Sequence, residues 1–339
     1  MQAYVQARLT HEEGRAHWRA MLEEVNRERL MAPFHGAILL RFCVLFPLLA
    51  VALGLSWFGA TWLELGAGYA ALALLLGQFA FIGHDAGHGA ISRRPRLDRI
   101  FGQAAMTLVT GLAFDEWIAR HLAHHRYCQD ETRDPDMMVD CVVSLTEASR
   151  REKGALGRFL TRHQAVHVWA LSLFFGHSQR LLSQLAVLKN PLRCLLDAAF
   201  LALHFALWFA LPLSLGASLG LVLLAYLVPL TLLGPHLAAI FWVNHIGMPL
   251  VRAPERFSFF EHQSVTSRTI INPPALNWLF GGLNFQVEHH LFPQVPSARL
   301  PAVQAIVRRH FAGHALPYNG VRWWEAVRSI AAHLRRVAA

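Results

Sequence analysis

The charged positions of this 339-residue chain fall into three blocks, and the intervals between them are apolar. Every Lys and Arg lies within residues 1–41, 93–193 or 252–339; between 42 and 83 the only charge is Glu64, and between 198 and 251 there is none. A helix needs about 20 apolar residues to cross a bilayer, so each interval is too long for one span and long enough for two. The pattern predicts four transmembrane helices as two hairpins, 37–83 and 195–245, turning near Gly59-Ala-Thr-Trp62 and Ser214-Leu-Gly-Ala217. Neither turn holds Lys or Arg. The basic blocks then share one side of the bilayer with both chain ends, and the positive-inside rule makes that side cytoplasmic.

The remaining segments read as helices outside the bilayer core. Residues 1–35 mix charges with an apolar stripe of Trp18, Met21 and Leu22, and they lack the apolar core and cleavage pattern of a signal peptide, so an N-terminal surface helix is expected. Residues 84–193 form a cytoplasmic and interfacial segment. Within it, 100–119 reads as one helix lying at the interface, and 150–193, with apolar runs such as Val168-Trp-Ala-Leu-Ser-Leu-Phe-Phe175 between basic residues, as one or two amphipathic helices. Residues 246–339 complete a cytoplasmic helical cap whose arginines, from Arg308 to Arg336, face anionic headgroups. The expected fold class is an all-α membrane protein with a single domain over 1–339.

Composition agrees: 54% of residues are hydrophobic, 16% are charged and mean hydropathy is +0.33, too apolar for an ordinary soluble domain. The net charge of +9 would fit nucleic acid, but the basic residues flank the spans, so lipid bilayer and not nucleic acid is the expected partner. Cys43, Cys128, Cys141 and Cys194 show neither C-x-x-C nor regular spacing and are expected to be free thiols.

Against this background the histidines stand out. His84-x-x-x-His88, His121-x-x-His124-His125 and His289-His290 are three clusters, and the predicted topology brings all of them, with His245 at the end of the fourth span, to the cytoplasmic face. Residues i, i+3 and i+4 share one face of a helix, so each cluster can offer its imidazoles in one direction. Imidazole is the commonest nitrogen ligand for iron, zinc and copper, and the eight histidines are expected to form one metal site. Ligating imidazoles usually give their second N–H to a carboxylate or carbonyl, which makes Asp85, Asp130, Asp134 and Asp136 candidates for orienting them, with Asn244 beside His245. His163 and His167 share the spacing without a matching cluster. His204 and His236, inside the spans, read as histidines bonded to neighbouring helices.

The three motifs, with Gln286-x-x-His289-His290 as the last, resemble the histidine boxes of the integral-membrane fatty acid desaturase and hydroxylase superfamily. Arg133-Asp-Pro-Asp136, Asn244-His245-Ile246, Gly281-Gly-Leu-Asn-Phe-Gln286 and Leu316-Pro-Tyr318 extend the resemblance over most of the chain from about 80 onward. It implies two non-haem iron ions held by histidines at the cytoplasmic face, O2 as co-substrate, and a fatty acyl chain that loses hydrogen, with no catalytic side chain beyond the metal ligands. Gln286 stands where the third box has its first histidine elsewhere, as in the front-end desaturases; an amide is a poor iron ligand, so an orienting role is expected.

The 339 residues carry no haem-binding module, iron–sulfur motif or nucleotide fingerprint beyond Gly66-Ala-Gly68, so the electrons are expected from a separate donor of ferredoxin or cytochrome b5 type with its reductase. Desaturation is the first reading. Hydroxylation of an acyl chain or lipid, and oxidative decarboxylation to a terminal alkene, share the same iron chemistry. A metal transporter or haem-carrying membrane subunit is the non-enzyme alternative, and the scarcity of polar residues in the spans speaks against transport. The usage of Ala, Leu and Arg points to a bacterial inner membrane.

Overall fold

The computed structural model of the protein describes residues 4–138 and 143–339, so Cys141 lies outside the described residues. The principal helices in chain order are α1 (His11–Arg27), α2 (His35–Phe58), α3 (Trp62–Gly87), α4 (Phe114–Tyr127), α5 (Leu195–Ser214), α6 (Leu219–His245), α7 (Phe259–Thr266), α8 (Gln286–Leu291), α9 (Leu300–Gly313) and α10 (Trp323–Ala338). Helices α2, α3, α5 and α6 are long and apolar enough to cross a membrane, the number expected from the two apolar intervals. Among the described residues the regular structure is otherwise helical except for two short parallel strand pairs, Tyr4–Val5 with Leu250–Val251 and Thr269–Ile270 with Gly320–Val321. The chain divides into two compact units.

One unit comprises residues 33–119 and 171–238. Its first hairpin turns where the sequence places it. Glu64 accepts from the backbone nitrogens of Ala60 and Thr61 at 2.7 and 3.0 Å while Thr61 Oγ1 accepts from Glu64 N, so the lone charge of the first apolar interval is a helix cap. A Cβ on Gly68 would lie 2.6 Å from Ser56 Oγ and 2.9 Å from the Ser56 nitrogen; α2 and α3 approach this closely only over a glycine. Leu40, Val51, Trp62, Leu63, Leu195 and Leu215 are exposed, an apolar surface suited to lipid as its solvent.

Residues 100–119 depart from the single interfacial helix expected of them. A helix over Pro95–Gly102 continues as a π-helical stretch, Gln103–Thr110, then breaks at Gly111, whose φ of +72° is left-handed, before α4 begins. Periodicity alone does not reveal the break. Its cause is a cap from another element: the buried Asp197 carboxylate on α5 accepts from Gln103 Nε2 at 2.7 Å and from the nitrogens of Asp115 and Glu116 at 3.2 and 3.4 Å. Those nitrogens open α4, where an anion is favoured. The region 150–193 likewise holds more pieces than expected, with helices Glu147–Glu152, Ala155–Thr161, Gln164–Leu171 and Phe175–Lys189 joined by short turns.

The second unit comprises residues 1–32, 120–170 and 239–339. Helix α1 starts with a Thr10–Glu13 capping box and buries Met21 and Val25, one turn apart, in a core with Phe292, Leu300, Val303 and Ile306. Trp18 and Leu22 pack against the same core partly buried, so the expected stripe is extended by Val25. Burying such side chains contributes about 1.5–3 kcal/mol each. Helix α10 buries Ile330, His333, Leu334 and Val337 along one face.

Candidate metal centre

Six of the eight histidines singled out in the sequence lie in the second unit, and they meet there. Helix α4 presents His121, His124 and His125, α6 ends at His245, and α8 carries His289 and His290. His125 has its ring 4.7 Å from His121, 4.8 Å from His289 and 4.2 Å from His290, while His245 lies 4.7 Å from His124 and 4.9 Å from His290. The Nε2 atoms of His121 and His289 stand 3.2 and 3.1 Å from that of His125. In the other unit, His84 on the last turn of α3 and His88 at its C-cap are buried with their rings 4.9 Å apart, and Asp85 Oδ1 lies 3.7 Å from His84 Nδ1.

A six-residue helix such as α8 is too short to be stable alone. Buried Glu288, between the two box positions, anchors it by accepting from Thr269 Oγ1 and the Tyr318 hydroxyl, both at 2.6 Å, and Val287 N donates to Thr269 Oγ1 at 3.2 Å. Burial pushes the Glu288 carboxyl above its ordinary range, with the hydroxyl donors opposing. Thr269 in turn sits in the strand paired with Gly320–Val321, so the register of α8 is set by residues far along the chain.

Partners behind the rings decide which nitrogen faces inward. His124 Nδ1 lies 2.9 Å from Asp134 Oδ1, and Asp134 Oδ2 accepts from Gln129 N at 2.8 Å; Asp136 Oδ2 is 3.5 Å from the same Nδ1. Burial disfavours a charged His124, yet Asp134 and then Asp136 outweigh it and raise this imidazole to about 9, which marks it as a strong base. His290 Nδ1 donates to Gln263 Oε1 at 2.7 Å, and Gln263 Nε2 donates to the His125 carbonyl at 2.9 Å. His245 Nδ1 faces the Thr266 carbonyl at 3.2 Å. Its Nε2 accepts from Gln286 Nε2 at 2.9 Å, the amide being oriented by Asn244 Nδ2 donating to Gln286 Oε1 at 3.1 Å.

The sequence matches the fatty acid desaturase family over residues 60–322, a stretch that contains all three histidine boxes. The chain belongs to the fatty acid desaturase family. Similar curated proteins include Delta(8)-fatty-acid desaturase 2 and Delta(8)-fatty-acid desaturase 1 of Arabidopsis thaliana, 28% and 30% identical over 84% and 76% of this chain. Acyl-lipid (9-3)-desaturase of Borago officinalis is 28% identical over 71%. The chain spans 66%, 60% and 57% of the lengths of these three relatives.

The donor set of this desaturase-family chain fits a metal. With its Nδ1 proton committed to Gln263, His290 has a buried Nε2 that finds no hydrogen-bond partner. Burial and the neighbouring imidazoles hold the ring well below its ordinary pKa, so that nitrogen is an unprotonated lone pair. Nitrogens bound side by side to one ion at about 2.1 Å stand about 3 Å apart, the spacing seen around His125. Neutral imidazoles suit divalent iron, zinc or copper.

Sequence reasoning passed over Gln263, Thr266 and Cys128. Gln263 and Thr266 lie on α7, which carries no ligand motif, and nothing local marks them. Cys128 is one turn beyond His124 and could have been found by helical spacing: one ligand atom from each of His124, Cys128, His245 and His290 falls within 4.8 Å of the others. Burial, with Asp134 nearby, pushes the Cys128 thiol well up, and it donates to the Thr266 carbonyl at 3.8 Å, so it fills space as a neutral thiol. Among the described residues no metal-ligating group includes His163 or His167.

Proposed function

We propose that this chain is a membrane-bound, O2-dependent fatty acyl desaturase that introduces a double bond into an acyl chain. His84, His88, His121, His124, His125, His245, His289 and His290 hold two non-haem irons, and Asp85, Asp134, Asp136, Asn244 and Gln286 orient them. The reading is carried by the lone pair of His290 Nε2, left without a partner beside the rings of His124 and His125 of the second box and of His245. It is supported by the family match across those boxes and by relatives named for fatty acid and acyl-lipid desaturation.

When bound, the iron pair supplies the O2-dependent redox chemistry that no side chain offers toward an unactivated methylene. The acyl chain loses two hydrogens, and with two further electrons and two protons one O2 leaves as two waters. The residues of the chain hold and orient. Asp134 keeps His124 Nδ1 turned outward, Gln263 does the same for His290, and Glu288 fixes the helix that presents His289 and His290. Gln286 donates to the His245 Nε2 lone pair and would have to give up that hydrogen bond for His245 to hold a metal. A ferredoxin- or cytochrome b5-type protein with its reductase docks on the basic, cytoplasmic face to supply the electrons, and the membrane is a bacterial inner membrane with the site on its cytoplasmic side.

The test is gas chromatography of fatty acids from cells expressing the chain, with metal analysis of the purified protein. Unsaturated product and near two non-haem irons per chain are expected. A hydroxy acid or a terminal alkene as the product would replace desaturation by one of its sister outcomes. Haem in place of iron would remove the oxygenase reading, and full turnover with NAD(P)H alone would remove the separate donor.

A further inference from the structure

Away from that centre, three more histidines meet on the surface of the second unit. His17 on α1 brings Nδ1 to 3.0 Å from Nε2 of His310 on α9. The ring of His314, at the C-terminal end of α9, is 4.2 Å from that of His310 and 5.0 Å from that of His17. One nitrogen from each lies within 4.8 Å of the other two. His17 and His310 are half-buried and His314 is exposed, so the cluster is open on one side. None of the three belongs to a histidine box.

Between His17 Nδ1 and His310 Nε2 lies one shared proton, which a metal would replace, and the hydrogen bonds around the trio leave its remaining lone pairs outward. His314 Nδ1 donates to the His310 carbonyl at 2.8 Å, which turns the other ring nitrogen outward as an acceptor. Glu13, one turn before His17, has its Oε2 committed to the nitrogen and hydroxyl of Thr10, both at 2.8 Å, so it does not close the site. The C-terminus of α9 adds the partial negative charge that favours a cation. Burial and the two neighbouring imidazoles push His310 down to about 4, and a neutral ring is the form a metal binds.

We propose that His17, His310 and His314 form a second metal site, distinct from the desaturase centre, that takes zinc with three imidazoles and one water. Tetrahedral zinc holds its nitrogens at about 2.0–2.1 Å and therefore about 3.3 Å from one another. One pair already stands at 3.0 Å, and the third ring, exposed at a helix end, needs only a side-chain rotation. Magnesium and calcium prefer oxygen ligands and do not suit an all-nitrogen set. The bound ion clips α1 to α9 across 293 residues of sequence, a structural role that the desaturation chemistry does not require.

The experiment uses the purified full chain, already loaded with iron, and titrates it with Co2+ as a spectroscopic substitute for Zn2+. One equivalent is expected to bind with the visible absorption of tetrahedral cobalt, Zn2+ is expected to displace it, and either ion is expected to raise the unfolding temperature. His314→Gln, at an exposed position, should weaken Co2+ by more than the 10- to 100-fold, roughly, that loss of an outer hydrogen bond causes. The pair His310→Ala and His314→Ala should abolish the absorption while iron content and product formation persist, iron content also reporting that the variant is folded. His289→Ala should lose iron and keep the cobalt band. Cobalt stoichiometry unchanged in His314→Gln, or a cobalt band that disappears with His289→Ala, would overturn the proposal.

Discussion

Two buried histidines, His204 in the first unit and His290 in the second, are both almost inaccessible to solvent, and their surroundings separate them. His204 Nδ1 donates to the Leu108 carbonyl at 2.8 Å, and its Nε2 accepts from the Tyr226 hydroxyl at 3.2 Å. Both nitrogens are satisfied, and the ring is a strut between helices. His290 has one nitrogen satisfied by Gln263 and the other without a partner. A buried polar atom without a partner costs about 1–3 kcal/mol, and a fold retains that arrangement most readily where a ligand meets the need. Burial and residue type therefore do not single out a candidate ligand; for this pair of histidines, the unpartnered nitrogen of His290 does.

Substitution should divide the pair sharply. His290→Ala is expected to eliminate detectable product and lower the iron content while leaving membrane insertion intact. His204→Phe is expected to keep iron and product and to cost about 1–3 kcal/mol in stability, because the Leu108 carbonyl and the Tyr226 hydroxyl lose their partner. Metal analysis and thermal unfolding in detergent read both; iron loss in His204→Phe would collapse the distinction. A smaller effect should follow at the partner of His290. Gln263→Leu leaves every ligand in place but frees His290 to rotate, and a roughly 10- to 100-fold loss of iron affinity is expected. Wild-type affinity in that variant would mean that the outward hydrogen bond does not set the ring.

Protons probe the same logic at His124. Asp134 raises this imidazole from its ordinary 6.5 to about 9 in the folded chain, so the protonated pair contributes stability that is fully present below pH 6.5 and is lost as pH rises through about 9. In chelator-treated protein, unfolding midpoints should fall across that window, by no more than about 3 kcal/mol of stability. Restoring iron should flatten the profile, since a bound metal replaces the proton, and should raise the midpoint by ligand linkage. A flat profile in the metal-free protein would show that the pair does not form. The smallest change lies farthest away: Thr61→Ala removes the cap at the first hairpin turn and should lower stability by about 1 kcal/mol with iron content unchanged.

Much of this was legible in the sequence where the signal was local. The runs 42–83 and 198–251 are free of Lys and Arg, and helices α2, α3, α5 and α6 occupy them. His121, His124 and His125 share a face because i, i+3 and i+4 always do on a helix. The same reasoning failed at 100–119, where a regular apolar pattern hides the break at Gly111 because the cap that begins α4 comes from Asp197, about eighty residues away. It failed again at α7, whose Gln263 and Thr266 face His290 and His245 without belonging to any pattern.

By itself the sequence determined how many apolar spans there are and which histidines share a helical face, since length, hydropathy and helical repeat are properties of neighbouring residues. Only the tertiary structure decided which nitrogen of each imidazole is committed and which is free. Asp134, ten residues from His124, could be foreseen, but Gln263 beside His290 and Thr266 beside His245 lie 27 and 21 residues away in sequence. A hydrogen bond depends on distance and direction between atoms, and the chain acquires those between distant segments only on folding.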